Sequence, residues 1–367
     1  MSLLTDFTER LFPLKPSMVG VDIADRSVKM AVLGASGGGA VLRSLSEAAL
    51  PAGAIEGGVV GDGAGLSQAI GQCRDALGLR PASRWAVAAI PEEQVFIRLV
   101  SIPEMSAEEL ASAMAAEIEA TIPLPRDEVY ADWLVLPASE EGGRSGHRDV
   151  IIAAAPKKIV NSLQDIFSGL GIRLVAVEPE SHALARVVAR QEAASELESI
   201  LIVDMGALGT RLALVVGGIV NFSTTFSASG EAMTKAIAEA RRIKPGEAEA
   251  SKQRFGIGTS AEGRAQFQIL EPILKELTAQ LQQAVRYWEE HVKHRHGAGE
   301  AIAKIVLAGG GAKLKGLAQF LSFHAGAPVQ IINPAALFAD ASGTLDAVGY
   351  ATAVGLGLRG LETPIEL

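Results

Sequence analysis

Residues 200–218 read Ile200-Leu201-Ile202-Val203-Asp204-Met205-Gly206-Ala207-Leu208-Gly209-Thr210-Arg211-Leu212-Ala213-Leu214-Val215-Val216-Gly217-Gly218. An apolar run ends in an aspartate. A turn with two glycines and a threonine follows. A second run then alternates Leu212, Leu214 and Val216 with Arg211 and Ala213. This pattern predicts strand, tight turn, strand. Glycines let a backbone turn sharply and expose N–H groups, and consecutive N–H groups in such a turn bind anions. An aspartate at the end of a strand is a suitable Mg²⁺ ligand, directly or through water.

The same shape occurs near the N-terminus, as Val19-Gly20-Val21-Asp22-Ile23-Ala24-Asp25-Arg26-Ser27-Val28-Lys29-Met30-Ala31-Val32-Leu33. Superposing Asp22 on Asp204 without gaps sets Ala24 on Gly206, Ser27 on Gly209 and Lys29 on Arg211. Alone, either hairpin reads as an ordinary β-turn. Two copies point to two related halves, each offering a phosphate turn to a shared cleft. A third stretch adds to them: the apolar strand Ile305-Val306-Leu307-Ala308, then Gly309-Gly310-Gly311, then a predicted helix over 312–321 carrying Lys313. Glycines between strand and helix let a ligand approach the backbone and the helix N-terminus.

This order of motifs resembles the actin-like ATPase superfamily. The resemblance implies a two-lobed α/β fold of duplicated ribonuclease H-like halves, with the hairpins as phosphate-1 and phosphate-2 and the glycine-rich loop as the adenosine motif. It places Lys29 where a lysine seven residues after the first aspartate reaches the phosphates.

Bulk properties agree with a large globular unit. The chain has 367 residues, 49% hydrophobic and 20% charged, enough for one two-lobed body or two domains. A formal net charge of −9 argues against nucleic acid as a main partner. Cys73 is the only cysteine, so no disulfide forms within the chain, which suits a reducing compartment. No apolar run approaches the roughly 20 residues that span a bilayer. Residues 1–16 are expected as a tail or short docking helix, with Leu3, Leu4, Phe7, Leu11 and Phe12 on one face.

Between the hairpins, periodicity and turn residues predict a strand over 40–48, a helix over 64–78 with Cys73 on its apolar side, and a change of texture from Trp85. Ser106 and Glu109 have capping-box spacing. The order β-α-β-β-α-β across 85–177 predicts an inserted ferredoxin-like α+β subdomain. The expected division is 17–84 with 178–199 for the first lobe, 85–177 for the insert, 200–228 with 301–367 for the second lobe, and 229–300 for a mainly helical subdomain. Within the last, 259–266 reads as a polar loop. Leu270, Leu274, Leu277, Leu281, Val285 and Trp288 trace a long amphipathic helix. His291, His294 and His296 follow, but their spacing matches no strong zinc pattern. Residues 348–358 read as a closing apolar helix with small residues for close packing.

The intervening sequence narrows the family. Ile90-Pro91, Arg98, Ile102-Pro103-Glu104-Met105, Glu108-Glu109-Leu110, Ile122-Pro123-Leu124-Pro125 and Asp132 form a series. Ala153-Ala154-Ala155-Pro156-Lys157 and Glu178-Pro179-Glu180-Ser181-His182-Ala183-Leu184-Ala185-Arg186 continue it. Together they resemble the PilM family of type IV pilus assembly, over about residues 12–358. That resemblance implies a cytoplasmic scaffold binding ATP and Mg²⁺ between its lobes. Asp22 and Asp204 would hold the metal. Ser27, Lys29, Gly206, Gly209 and Thr210 would join them around the phosphates. Glu249, Lys252, Gly309, Gly310, Gly311 and Lys313 would surround the nucleoside, Glu249 and Lys252 matching the family's Ala-Glu-x-x-Lys signature. The implied partner is the N-terminal segment of a PilN-like inner-membrane protein, and through it a PilO-like protein. The membrane is then reached only through that partner, and homo-oligomerisation is left open. Departures gather on the phosphate side: Ala24, Gly209, and Asp25, whose charge faces a triphosphate unless Mg²⁺ or Arg26 offsets it. They favour binding over hydrolysis. A small-molecule kinase and an FtsA-like filament protein are the rival classes. No candidate base supports the first, and a short acidic tail argues against the membrane helix of the second.

Overall fold

The computed structural model describes residues 17–36, 39–79, 85–136, 146–192, 199–288, 290, 302–338 and 347–362. The expected docking helix before residue 17, the hairpin loop near 140 and the three histidines after 290 lie outside them. The first lobe is built on β1 (Met18–Ile23), β2 (Ser27–Ser36) and β3 (Gly39–Ala49), an antiparallel meander. A two-residue pair, β4 (Ile55–Glu56) and β5 (Val59–Val60), leads to α1 (Gly63–Ala76), capped by the Asp62 carboxylate. Then β6 (Trp85–Ile90) pairs parallel to β1.

The chain next leaves for β7 (Phe96–Pro103), α2 (Ala107–Thr121), β8 (Val129–Val135) and β9 (His147–Pro156). These strands form their own antiparallel sheet in the order β7-β9-β8. Ser106 and Glu109 close the expected capping box at the start of α2. The chain returns through α3 (Lys157–Gly169) to β10 (Arg173–Pro179), which pairs parallel to β6. The β-α-β-β-α-β connectivity is therefore present from β7 to β10, but its last strand belongs to the first lobe's sheet. Residues 85–90, placed in the insert from the sequence, also pair there. The reason is burial. Ala86 and Ala88 are fully buried in the first lobe's core, and Leu163 and Phe167 of α3 pack into that same core.

After α4 (Glu180–Glu192) the plan repeats. A meander of β11 (Ser199–Met205), β12 (Thr210–Val216) and β13 (Ile219–Phe226) is followed by α5 (Gly230–Arg241), α6 (Pro245–Phe255) and α7 (Ala261–Tyr287). Then come β14 (Lys304–Ala308), α8 (Leu317–Ala325), β15 (Val329–Ile331) and α9 (Ala351–Glu362). The two five-stranded sheets have the orders β10-β6-β1-β2-β3 and β13-β12-β11-β14-β15. Counted within each half, both run 3-2-1-4-5.

The expected polar loop at 259–266 is instead the first turns of α7, with the Ser260 side chain accepting from the Gly263 N–H at 3.0 Å. Most of its polar residues are exposed on the helix surface, but one is buried. Gln266 is fully buried, donates to the Gly256 carbonyl at 2.8 Å and accepts from Ser251 at 3.1 Å. The helix expected after the triple glycine also begins later. A single 3-10 turn occupies Gly310–Lys313, and α8 starts only at Leu317.

Helices α4 and α9 lie between the two sheets. Their apolar residues Leu184, Val187, Val188, Val354 and Leu358 share one core with Leu33 of β2, Ile200 and Ile202 of β11 and Val306 of β14. The small residues of α9 make this possible. A Cβ on Gly355 would sit 2.1 Å from the Ala183 carbonyl oxygen, and one on Gly20 of β1 would sit 1.8 Å from the Ala353 oxygen. Backbones here touch backbones, so nothing flexible can give way. Substituting Gly355→Val is expected to cost about 3 kcal/mol or more. Gly71→Ala, in the middle of α1 with its new Cβ at an ordinary 3.6 Å from Leu170, is expected to gain about 0.5–1 kcal/mol. Urea unfolding of both variants measures the difference.

Candidate functional site

The two hairpins β1–β2 and β11–β12 superpose as their sequences do. Ala24 N–H donates to Ser27 O at 3.0 Å, and Gly206 N–H donates to Gly209 O at 2.9 Å. Asp22 is the cross-strand partner of Lys29, and Asp204 of Arg211. Neither Gly206 nor Gly209 has a positive φ. Crowding, not backbone freedom, accounts for glycine there. A Cβ on Gly206 would meet Gly209 O at 3.0 Å, and one on Gly209 would meet Thr225 at 3.3 Å.

Both hairpins face one cavity of about 670 Å³. Of the residues named from sequence, Asp22, Ser27, Lys29, Asp204, Gly206, Glu249, Lys252, Gly309, Gly310, Gly311 and Lys313 line it. Gly209 and Thr210 do not. Thr210 is fully buried and its hydroxyl donates to the Ala228 carbonyl, tying β12 to the end of β13. Asp25 is also off the cavity wall, so its charge does not front a ligand there. Gly309, at φ 75°, is a wall position with no room for a side chain. A side chain there would lie 2.4 Å from Asp204 Oδ1, so any other residue would displace that carboxylate.

Around Lys252 the cavity wall is a closed hydrogen-bond set. Lys252 Nζ reaches Glu249 Oε2 at 2.7 Å, Thr234 Oγ1 at 2.8 Å and the Gly230 carbonyl at 2.8 Å. Burial opposes the Glu249 charge, but hydrogen bonds from Lys252 and Thr234 outweigh it and hold the carboxyl below its ordinary value.

Four charged residues not assigned to the site from sequence lie at or against the twin hairpins. Arg211 lines the cavity, with Nη2 3.3 Å from Asp204 Oδ2 and Nε 2.8 Å from Glu180 Oε2. Burial works against its charge, but Glu180 and Asp204 outweigh that and raise it further above its ordinary range. Burial pushes Glu180 well up, against the pull of Arg211. It raises Asp22 too, with Lys29 opposing and Asp204 adding to the rise. The Arg211–Asp204 geometry bears on the metal. A divalent ion between Asp22 and Asp204 needs their oxygens, and one Asp204 oxygen already holds a guanidinium. Direct coordination of Mg²⁺ by both aspartates would therefore set the ion against this guanidinium, which the charge of Arg211 disfavours. The other two residues span the cleft. Arg26, in the first turn, donates to both carboxylate oxygens of Glu231, in the first turn of α5, at 2.6 and 3.0 Å.

Arg211 was legible as the superposition mate of Lys29. Glu180 carried no such signal, because only the return of β10 beside β6 delivers it to this place.

Duplicated sheets, two central helices and a cleft between twin hairpins define an actin-like ATPase fold. The family model described as type IV pilus assembly protein PilM matches residues 20–361, and the chain belongs to that family. It is similar to a solved PilM–PilN type IV pilus biogenesis complex, with 26% identity, coverage of 94% of this chain and 99% of that chain, and a TM-score of 0.79. Two further structures share the fold. The ethanolamine utilization protein EutJ from Carboxydothermus hydrogenoformans is 16% identical, with 94% and 90% of the chains covered and a TM-score of 0.56. MreB 5 of Spiroplasma citri bound to AMPPNP is 12% identical, with 94% and 96% covered and a TM-score of 0.57.

The Arg26–Glu231 pair gives a pH test. Its hydrogen bond from Arg26 lowers the Glu231 pKa below the ordinary 4.5. A depressed carboxylate contributes stability above the ordinary value and loses it as pH falls through the folded value. Both side chains are nearly half exposed, so the expected cost of Glu231→Gln at neutral pH is about 0.5 kcal/mol. That gap between wild type and variant in urea midpoint should close as the pH is taken below 4.5.

Proposed function

We propose that this protein is a nucleotide-binding scaffold of a type IV pilus assembly machine, holding ATP between its lobes and a PilN-like N-terminal segment on its insert side. The observation that carries the nucleotide is the shared cavity: twin turns face each other, Lys29, Lys252 and Lys313 stand in its walls, and a glycine loop lies open beside Asp204. Polyphosphate needs such a convergence of cations and backbone.

For the peptide, support comes from family membership and from a groove of about 370 Å³ between the insert and the first lobe. It is lined by Tyr130 and Ala131 of β8, Ala154 of β9, Val160 of α3 and Val175 and Val177 of β10. Both β8 and β10 end their sheets, so an extended segment has a strand edge to pair with and an apolar floor to cover. Nucleotide binding across the lobes alters their closure, and β10 connects that closure to the groove. A PilO-like protein is then reached through the PilN-like partner, and the membrane likewise. Among the described residues no helix is long and apolar enough to cross a membrane.

A small-molecule kinase is the weaker reading. It needs a carboxylate poised to take a hydroxyl proton. Of the cavity's carboxylates, Asp204, Glu231 and Glu249 are ion-paired with Arg211, Arg26 and Lys252, and Asp22 has Lys29 as its cross-strand neighbour.

Calorimetric titration with ATP, and separately with the N-terminal peptide of a PilN-like protein, tests both halves. Lys29→Ala should weaken ATP about tenfold and leave the peptide unchanged, while Tyr130→Ala combined with Val160→Arg should do the reverse. ATP should shift peptide affinity about fivefold or more. A peptide that binds neither with nor without ATP would remove the scaffold assignment.

A further inference from the structure

The twin hairpins differ in one respect that bears on metal use. Each aspartate faces a basic residue across its hairpin, but the two bases are held differently. Lys29 is loosely placed, with its Nζ 3.9 Å from Glu47. Arg211 is clamped. Its side chain is 16% exposed and is ion-paired with Asp204 on its own hairpin and with Glu180 at the start of α4. Glu180 is 2% exposed, and both carboxylates approach the Nε–Nη2 edge, which leaves Nη1 to the cavity. A buried guanidinium with two carboxylate partners does not swing away. Moving it would leave both carboxylates buried and unpaired.

We propose that Arg211 is the built-in counter-cation of this site, so that the cleft takes nucleoside polyphosphate without a divalent ion bound to the protein. The inference rests on the nucleotide reading above. Mg²⁺ demands near-ideal octahedral oxygen geometry and gives up its waters reluctantly. Here one oxygen of Asp204 is engaged by Nη2, and a fixed positive charge stands where the ion would approach. Arg211 itself lines the cavity. A guanidinium has five N–H donors in a rigid fork, more than its two carboxylate partners use. Arg211 and Lys29 therefore meet phosphate oxygens from the two opposing hairpins, and each base does at its own turn what a shared metal would do between them.

The test uses the full chain and two buffers. ATP is titrated calorimetrically in EDTA and in Mg²⁺. The wild-type affinity should change less than about threefold between them. With Mn²⁺ in place of Mg²⁺, electron–nuclear double resonance of the protein-bound manganese–ATP should show no coupling to isotopically labelled aspartate carboxylates. A second arm uses Arg211→Ser together with Glu180→Gln, which removes the guanidinium and the carboxylate it would otherwise leave buried. A thermal melt checks that this variant folds. It should bind ATP about tenfold more tightly in Mg²⁺ than in EDTA. Wild-type binding that tightens tenfold in Mg²⁺, or a manganese coupling to the labelled aspartates, would overturn the proposal while leaving the nucleotide site standing. So would a folded double variant indifferent to Mg²⁺. No ATP binding in either buffer would overturn the nucleotide reading itself. The wild-type arm decides even where the variant does not fold.

Discussion

The structure depends on a backbone-to-backbone packing of α9 against β1 and α4. Glycine at 20, 355 and 357 brings these elements closer than any Cβ would allow. That closeness lets two helices fill the space between two five-stranded sheets with one continuous core. The residues just before and at the start of α9, Gly349, Ala351 and Thr352, form part of the cavity wall. The same contact that joins the halves therefore also sets how far apart the twin hairpins stand. A cleft between lobes is usually the softest part of a two-lobed protein. Here its base is made of closely packed small residues with the deep Arg211–Glu180 pair near them, and its mouth is spanned by an exposed ion pair.

Duplication explains the architecture more economically than either half does alone. Both sheets use the same strand order, and the superposition of Asp22 on Asp204 carries through the turn hydrogen bond and the cross-strand pairs. What differs between the copies is therefore informative. The first turn carries Ala24 and Ser27 where the second has glycine, and the second needs glycine because β13 and its own turn crowd it. The second hairpin has also given up α5's first free N–H groups: Gly230 and Glu231 donate to the Gly206 and Ala207 carbonyls. That helix end is spent on holding the turn in shape. The cations left on this side of the cavity are side chains, Arg211 among them.

Much of this was visible in the sequence, and the misses share a cause. Local signals were sound wherever one element decides its own fate. The hairpins, the capping box at Ser106, the apolar stripe of α7 and the close-packed small residues of the last helix are of this kind. Errors arose where burial between distant segments decides. Residues 85–90 look like part of the insert because they adjoin it, yet they pair with β1. Residues 259–266 look like loop because they are polar, yet Gln266 spends its amide inside the fold. Thr210 looks like a phosphate ligand because it follows the turn, yet strand alternation turns it inward to Ala228. Arg211 lines the cavity and was legible only as the mate of Lys29, while Glu180, which pairs with it from behind the wall, is delivered by topology alone.

The mouth of the cleft is closed by a contact suited to reversal. Arg26 and Glu231 belong to different lobes, and their bidentate pair spans the opening. An exposed pair of this kind contributes little to stability, which is what a reversible contact requires. In the nucleotide-binding scaffold proposed above, a polyphosphate entering the cavity would compete with Glu231 for the Arg26 fork, since both are oxyanions, and the lobes would then meet through the ligand. The deep pair of Arg211 with Glu180 cannot make that exchange, because its partners have no water to turn to. One arginine is thus a fixed part of the wall and the other a movable part of the rim. The difference follows from burial alone, since the two side chains are chemically identical.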